Sequence, residues 1–274
     1  MNDEFRLPVL MIEADNCAEA WIKTVKAVWE KGKLMPNHYE IDTPSKEATV
    51  MVNIKNPLKE PRIHIADFIG TQELLINKKR YVAEVLEGTL DDKVDEGILS
   101  YTYHRRLWNW GKSVNTHDSI LEKKKLPILT HIKYRNGIGD YFNGPYTYTN
   151  GINQIQYLIN KIKEESISRK LQVTTWIPTK DLIISGAPCL QRLWFRIIDN
   201  KYLICETHWR SRDLIKAWSS NVYAMVEIAK HIAEEVGMEL TQMLDTSNSL
   251  HIYFSDEEKV DQIFRTMEKR GMSV

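Results

Sequence analysis

The sequence predicts an α+β fold: one domain with a mostly antiparallel mixed sheet flanked by helices. Three observations predict it. Residues 171–177, 193–198 and 202–209 are β-branched and aromatic runs that follow one another through the centre of the chain. Residues 220–236 carry Val222, Met225, Val226, Ala229, Ile232 and Ala233 as an apolar stripe wide enough for a buried helix. The 274 residues are ample for one large core, and no internal repeat or low-complexity linker divides them.

The remaining elements follow from periodicity and punctuation. Residues 7–12 are short and apolar, as a strand is. Residues 18–31 place Trp21, Val25 and Val28 at helical spacing, and Gly32 stops them. Residues 48–54 alternate valine and methionine with smaller or polar residues and read as a strand. Asn56-Pro57 and Glu60-Pro61 then mark a loop. A helix covers 78–86 and ends at Gly88, with a polar, acidic segment after it through Glu96. Residues 115–126 read as a charged, exposed connection, and 136–150, rich in glycine, asparagine and tyrosine, as a loop that could close over a ligand. Residues 153–163 repeat isoleucine and leucine at helical spacing. Residues 250–254 read as a strand and 257–270 as a terminal amphipathic helix.

Composition narrows the function. Lysine plus arginine equals aspartate plus glutamate, 37 each, so nothing draws the whole chain to a nucleic acid polymer. A local basic cluster favours a small phosphorylated ligand instead. The three cysteines have neither metal spacing nor a disulfide pattern, which predicts free thiols, no metal site and a reducing cytoplasmic compartment. The first eight residues carry acidic groups and no basic flank, unlike a signal peptide, and no apolar run is long enough to cross a bilayer. A soluble cytoplasmic protein is expected, with no membrane partner.

The chemistry concentrates in Ala187-Pro188-Cys189, then His208-Trp209-Arg210-Ser211-Arg212-Asp213, then Asn221. A thiol beside a fixed guanidinium is expected to be more acidic than a free one. Arginine followed by a serine hydroxyl can hold a phosphate. Asparagine presents a donor beside an acceptor, which suits a pyrimidine edge. Together they suggest covalent chemistry on a nucleotide.

The ordered set Pro188-Cys189, Arg210-Ser211-x-Asp213, Asn221 and His251-x-Tyr253 resembles the thymidylate synthase and deoxycytidylate hydroxymethylase superfamily. Order and spacing agree, with one extra residue between cysteine and arginine. Ser168-Arg169-Lys170 before Thr175-Trp176 is similar to the family's Ser-Arg-Arg segment, and Tyr103 to its active-site tyrosine. The likeness covers residues 81–254; residues 1–80 do not read as a standard family start, and 255–274 add the terminal helix. It implies a thymidylate synthase-like fold whose sheet face is used for dimerisation. The co-substrate would be 5,10-methylenetetrahydrofolate and the substrate a pyrimidine nucleoside monophosphate.

On that resemblance Cys189 attacks C6 of the ring and makes C5 nucleophilic towards a one-carbon electrophile. Arg210 and Ser211 would hold the 5′-phosphate, with Arg169 and Lys170 reaching the partner's site in a homodimer. Asn221 would read the base edge, and His251 with Tyr253 a sugar hydroxyl. Asp213 would bind the pterin, and Tyr103 would help move the C5 proton. The family's catalytic glutamate has no clear match: counting back from Gly88 reaches Tyr81, and Glu84, one turn on along the same face, is the candidate.

The chain also departs from the pattern. Leu190 stands where a histidine is usual, Ala217-Trp218-Ser219-Ser220 replaces Gly-x-Pro-Phe, and no tryptophan lies between Trp29 and Trp108 to face the folate. Only a short helix follows His251, so the family's long tail is expected to be missing. A less water-tight site leans towards hydroxymethylation of CMP or dCMP. Asn221 leans the other way, because the cytosine enzymes typically carry aspartate there and the uracil enzymes asparagine. Thymidylate synthesis from dUMP, or a nucleotide-binding homologue without catalysis, are the alternatives. Simpler readings stand beside these: buried structural thiols for Cys17 and Cys205, core packing for Tyr103, a helix N-cap for Asn221, and a solvated face for Arg105 and Arg106.

Overall fold

The computed structural model describes residues 5–37, 43–68, 73–111, 151–182, 184 and 186–271; the expected connection at 115–126 and loop at 136–150 lie outside them. The chain begins with β1 (Val9–Ala14), α1 (Cys17–Lys31), β2 (Lys33–Met35) and β3 (Ser45–Ile54). Asn16 starts α1 by accepting from Glu19 N at 2.9 Å, a side-chain cap on an otherwise unpaired amide. Helices α2 (Glu73–Leu86), α3 (Asp91–Asp95), α4 (Tyr103–Trp108) and α5 (Gln154–Glu164) follow. Then come β4 (Gln172–Thr174), α6 (Pro178–Asp181), β5 (Leu190–Ile198), β6 (Tyr202–Trp209), β7 (Arg212–Asp213), α7 (Trp218–Val236), β8 (Glu239–Tyr253) and α8 (Glu257–Lys269).

The strands form one sheet in the order β1-β3-β8-β6-β5-β4, with β2 also on β3 and β7 on β8. Pairs β2–β3, β3–β8, β4–β5 and β5–β6 are antiparallel; β1–β3, β6–β8 and β7–β8 are parallel. The expected mixed, mostly antiparallel α+β sheet is what forms. One face carries Val50, Val52, Leu193, Phe195, Leu203 and Cys205 into a core shared with Trp21, Val25, Val222 and Met225 of α1 and α7. Alternation sends the intervening residues the other way, so Val9 (78 % exposed) and Met11 (68 % exposed) face outward with Met51 and Ile198.

Several boundaries differ from expectation for physical reasons. The strand expected over 171–177 is only Gln172–Thr174, because Pro178 opens α6 at its first turn. The strand expected at 250–254 is the end of the 15-residue β8, whose polar middle breaks the alternation while it pairs on both sides. Helix α7 begins at Trp218, so Asn221 lies inside its first turn and is not its N-cap. Helix α4 was not expected. Its Arg105 and Arg106 are buried rather than solvated. Arg105 pairs with Asp95 at 2.6 Å, and Arg106 meets both carboxylate oxygens of Asp181 at 2.9 and 2.6 Å.

Candidate active site

Strand pairing brings the motif residues to one end of the sheet. Leu190 opposes Trp209 across β5–β6, which sets Cys189 beside Arg210, and Arg210 N donates to Cys189 O at 2.8 Å. The Arg210 side chain donates through Nε to Pro188 O at 3.0 Å and through Nη2 to Ala187 O at 2.7 Å. From the other side, Tyr103 Oη accepts from the amides of both Cys189 and Leu190, each at 3.2 Å. The Tyr103 ring meets Trp209 edge-on at 5.9 Å. Tyr103 therefore does more than fill the core: its oxygen holds the cysteine turn, and its hydroxyl is also hydrogen-bonded to Tyr101. Burial pushes its pKa well above the usual phenol range.

Cys189 is half-buried. Burial pushes its thiol above the ordinary value, and the opposing pull of Arg210 and Arg212 does not compensate. The expected acidic thiol is thus corrected: desolvation of the anion outweighs the nearby cations. Cys17 and Cys205 are fully buried, and burial raises both thiols, Cys17 to about 12.

The parallel pairing of β7 with β8 sets Asp213 opposite His251. Asp213 Oδ1 accepts from Ile215 N at 2.9 Å and Lys216 N at 2.8 Å, which closes the turn into α7. Its Oδ2 takes no hydrogen bond among the described residues and can accept an N–H donor. Burial raises the Asp213 carboxyl and lowers the His251 imidazole, disfavouring the charged form of each. The rings of His251 and Tyr253 meet edge-on at 4.8 Å.

Helix α2 packs against α7 and sets Tyr81 against Asn221: Asn221 Nδ2 donates to Tyr81 Oη at 2.8 Å. Glu84 makes no hydrogen bond among the described residues, and burial raises its carboxyl. The side chain that meets Asn221 is therefore Tyr81, at the position the count from Gly88 reached. Ser211 is half-buried beside Arg210. Arg169 and Lys170 are exposed and touch none of these groups; Arg169 O accepts from Trp194 Nε1 at 3.1 Å at the uncovered sheet face.

Sequence reasoning missed one group. Asp245, 1 % exposed, accepts from Thr207 Oγ1 at 2.6 Å and from Trp209 Nε1 and Trp218 Nε1 at 3.0 Å each, and it forms an ion pair with Arg212. These partners are up to 38 residues apart, so no local pattern announces the group.

Residues 21–272 match the family described as thymidylate synthase. The chain belongs to the thymidylate synthase family. The match extends on both sides of residues 81–254, where the motifs are legible. A protein of Methanosarcina mazei is 28 % identical over 256 residues, covering 93 % of this chain and 94 % of the relative. One of Methanothermobacter thermautotrophicus is 31 % identical over 260 residues, covering 93 % and 98 %. A third, of Methanosarcina acetivorans, is 26 % identical over 266 residues, covering 97 % and 99 %. All three carry the name "Putative thymidylate synthase". As a family member this protein is an enzyme that transfers a one-carbon unit from 5,10-methylenetetrahydrofolate to a pyrimidine nucleotide. Among the described residues no helix is long and apolar enough to cross a membrane.

Proposed function

We propose that this protein methylates C5 of dUMP through a covalent bond between Cys189 Sγ and C6 of the ring. The observation that carries this reading is the clamp on Cys189, held through its amide by Tyr103 and through the preceding carbonyls by Arg210. The thiolate adds at C6, the electron pair moves to C5, and C5 bonds the one-carbon unit. Loss of the C5 proton and departure of the folate nitrogen leave an exocyclic methylene at C5; hydride from tetrahydrofolate then reduces it to the methyl group as Cys189 is expelled, which restores the ring and leaves dihydrofolate. Tyr103, kept protonated by burial, shifts its hydrogen bond from Tyr101 to the group that takes the C5 proton.

Asn221 offers the donor and acceptor that uracil's O4 and N3–H need, with Tyr81 as its second partner. Arg210 retains Nη1 for the 5′-phosphate, with Ser211 beside it. His251 and Tyr253 bind a sugar hydroxyl, Asp213 the pterin, and Glu84 lies near the base as a second proton carrier. Arg169 and Lys170, exposed at the edge of the uncovered sheet face, reach a partner's phosphate in a homodimer that buries that face. The names of the relatives support methylation.

Hydroxymethylation of CMP or dCMP is the second reading, favoured by the lack of any tryptophan between Trp29 and Trp108 to face the folate. Incubation with methylenetetrahydrofolate and each of dUMP, dCMP, UMP and CMP separates the two. Methylation oxidises the folate, so dihydrofolate should appear with dUMP; a hydroxymethylated cytosine product without dihydrofolate would overturn the first reading. Release of tritium from C5 should require Cys189, and a Cys189→Ala variant with normal turnover would refute both.

A further inference from the structure

Arg212 is the residue between the phosphate-holding pair Arg210-Ser211 and Asp213, and it is 2 % exposed. Its guanidinium lies over Trp209 at 4.2 Å from the ring centroid, and Trp209 in turn supports Tyr103. All its hydrogen bonds leave from one nitrogen: Nη2 donates to Asp245 and, at 2.8 Å, to Ser247 Oγ. The buried Nε and Nη1 have no partner among the described residues. A guanidinium serving only a structural ion pair would be expected to fill its fork, because each unmet buried donor is costly.

The electrostatics have a direction. Besides its ion-pair partner Asp245, the acidic groups that feel the Arg212 charge are Cys189, Tyr81 and Tyr103. Apart from Arg212 itself, Asp245 acts on the thiols of Cys17 and Cys205, in the core. The pair is thus oriented with its cation towards the reacting end and its anion away from it. Among the described residues, Arg210, Tyr101 and Tyr103 are the other titratable or charged groups around Cys189.

We infer that Arg212 is a positioning residue for the Cys189 reaction, a buried cation that stabilises the sulfur anion while supporting Tyr103 through Trp209. The inference rests on Cys189 being the attacking sulfur. Burial makes the anion costly, and a cation inside the same low-dielectric region recovers part of that cost with less solvent screening than a surface charge. The same charge favours the electron-rich form of anything that meets Tyr81 and Tyr103.

The test follows Cys189 alkylation by iodoacetamide in the full chain without nucleotide, from about pH 6 to about pH 10, read by peptide mass spectrometry. Arg212→Met should move the profile up by about one pH unit, slowing alkylation about tenfold near neutral pH. Arg212→Lys, which keeps the charge, should move it less. Asp245→Asn, which removes the counter-charge, should move it down. Loosened packing would move all three variants the same way. A profile for Arg212→Met that superimposes on wild type overturns the inference, as does a shift of Asp245→Asn in the same direction as Arg212→Met. If circular dichroism shows Arg212→Met unfolded, the sign for Asp245→Asn decides: downward supports the inference, and upward or unchanged overturns it. Tritium release from C5 is measured in parallel. If release needs Cys189 but the profiles do not move, only the role of Arg212 fails. If release does not need Cys189, the covalent reading fails.

Discussion

At the residue scale, the site shows how an ordinary side chain becomes specific by what it bonds. Tyr103 is one of several aromatics in its stretch of sequence, and nothing local distinguishes it from Tyr101. The fold does, by bringing the amides of Cys189 and Leu190 to its oxygen across 86 and 87 residues. Tyr103→Phe keeps the ring and removes the acceptor from two amides, so it should cost about 1–3 kcal/mol in denaturant unfolding. Its kcat should fall more than its KM rises, because the cysteine turn loses its anchor and substrate-binding groups are untouched. Equal loss through KM alone would assign Tyr103 to binding. Cys189, Arg210, Asp213 and Asn221 could be nominated from sequence because family motifs are contiguous or nearly so. Tyr81 was legible only by counting, and the Arg212–Asp245 pair not at all.

At the element scale, α4 was invisible because six residues give too little periodicity to read, and its two arginines resembled a surface face. Tertiary packing pairs them. Arg106 ties α4 to the segment after β4 through Asp181, which also accepts from Ile177 N at 2.6 Å. Arg106→Met would strand that buried carboxylate and should destabilise the protein by about 3–5 kcal/mol; adding Asp181→Leu should recover much of the loss. A double variant no more stable than the single would show that the pair is not coupled this way. The stop of α2 was legible in Gly88 for a conformational reason: its φ is +70°, and a Cβ there would run into the His104 ring. Gly88→Ala should lower stability by about 1–2 kcal/mol, measured as a shift of the urea midpoint.

At the scale of the whole molecule, the sheet has one face in the core and one that the described residues leave uncovered, and the proposed homodimer assigns the latter to a second copy. Sedimentation should give twice the chain mass, and Met51→Lys with Ile198→Lys should shift it to monomer and reduce turnover together. A fully active monomer would remove Arg169 and Lys170 from the site. Acid stability follows from His64, whose imidazole burial holds below its ordinary value while its Nδ1 accepts from Ala66 N at 3.1 Å. The folded state binds the proton less readily than the unfolded chain. This contribution is therefore complete above about pH 6.5 and shrinks as the pH falls below it. His64→Gln should make Tm fall less between pH 7.5 and about 5.5 than it does in wild type; an unchanged loss would place the acid sensitivity elsewhere. By itself the sequence determined the α+β class and the main strands and helices, and it nominated Cys189 as the candidate nucleophile, because periodicity and short motifs are local properties. Only the tertiary structure decided the ionisation of that sulfur, the partners of Tyr103 and Asn221, and the orientation of the Arg212–Asp245 pair. Burial and long-range proximity set these, and both exist only once β5, β6, β7 and β8 lie side by side.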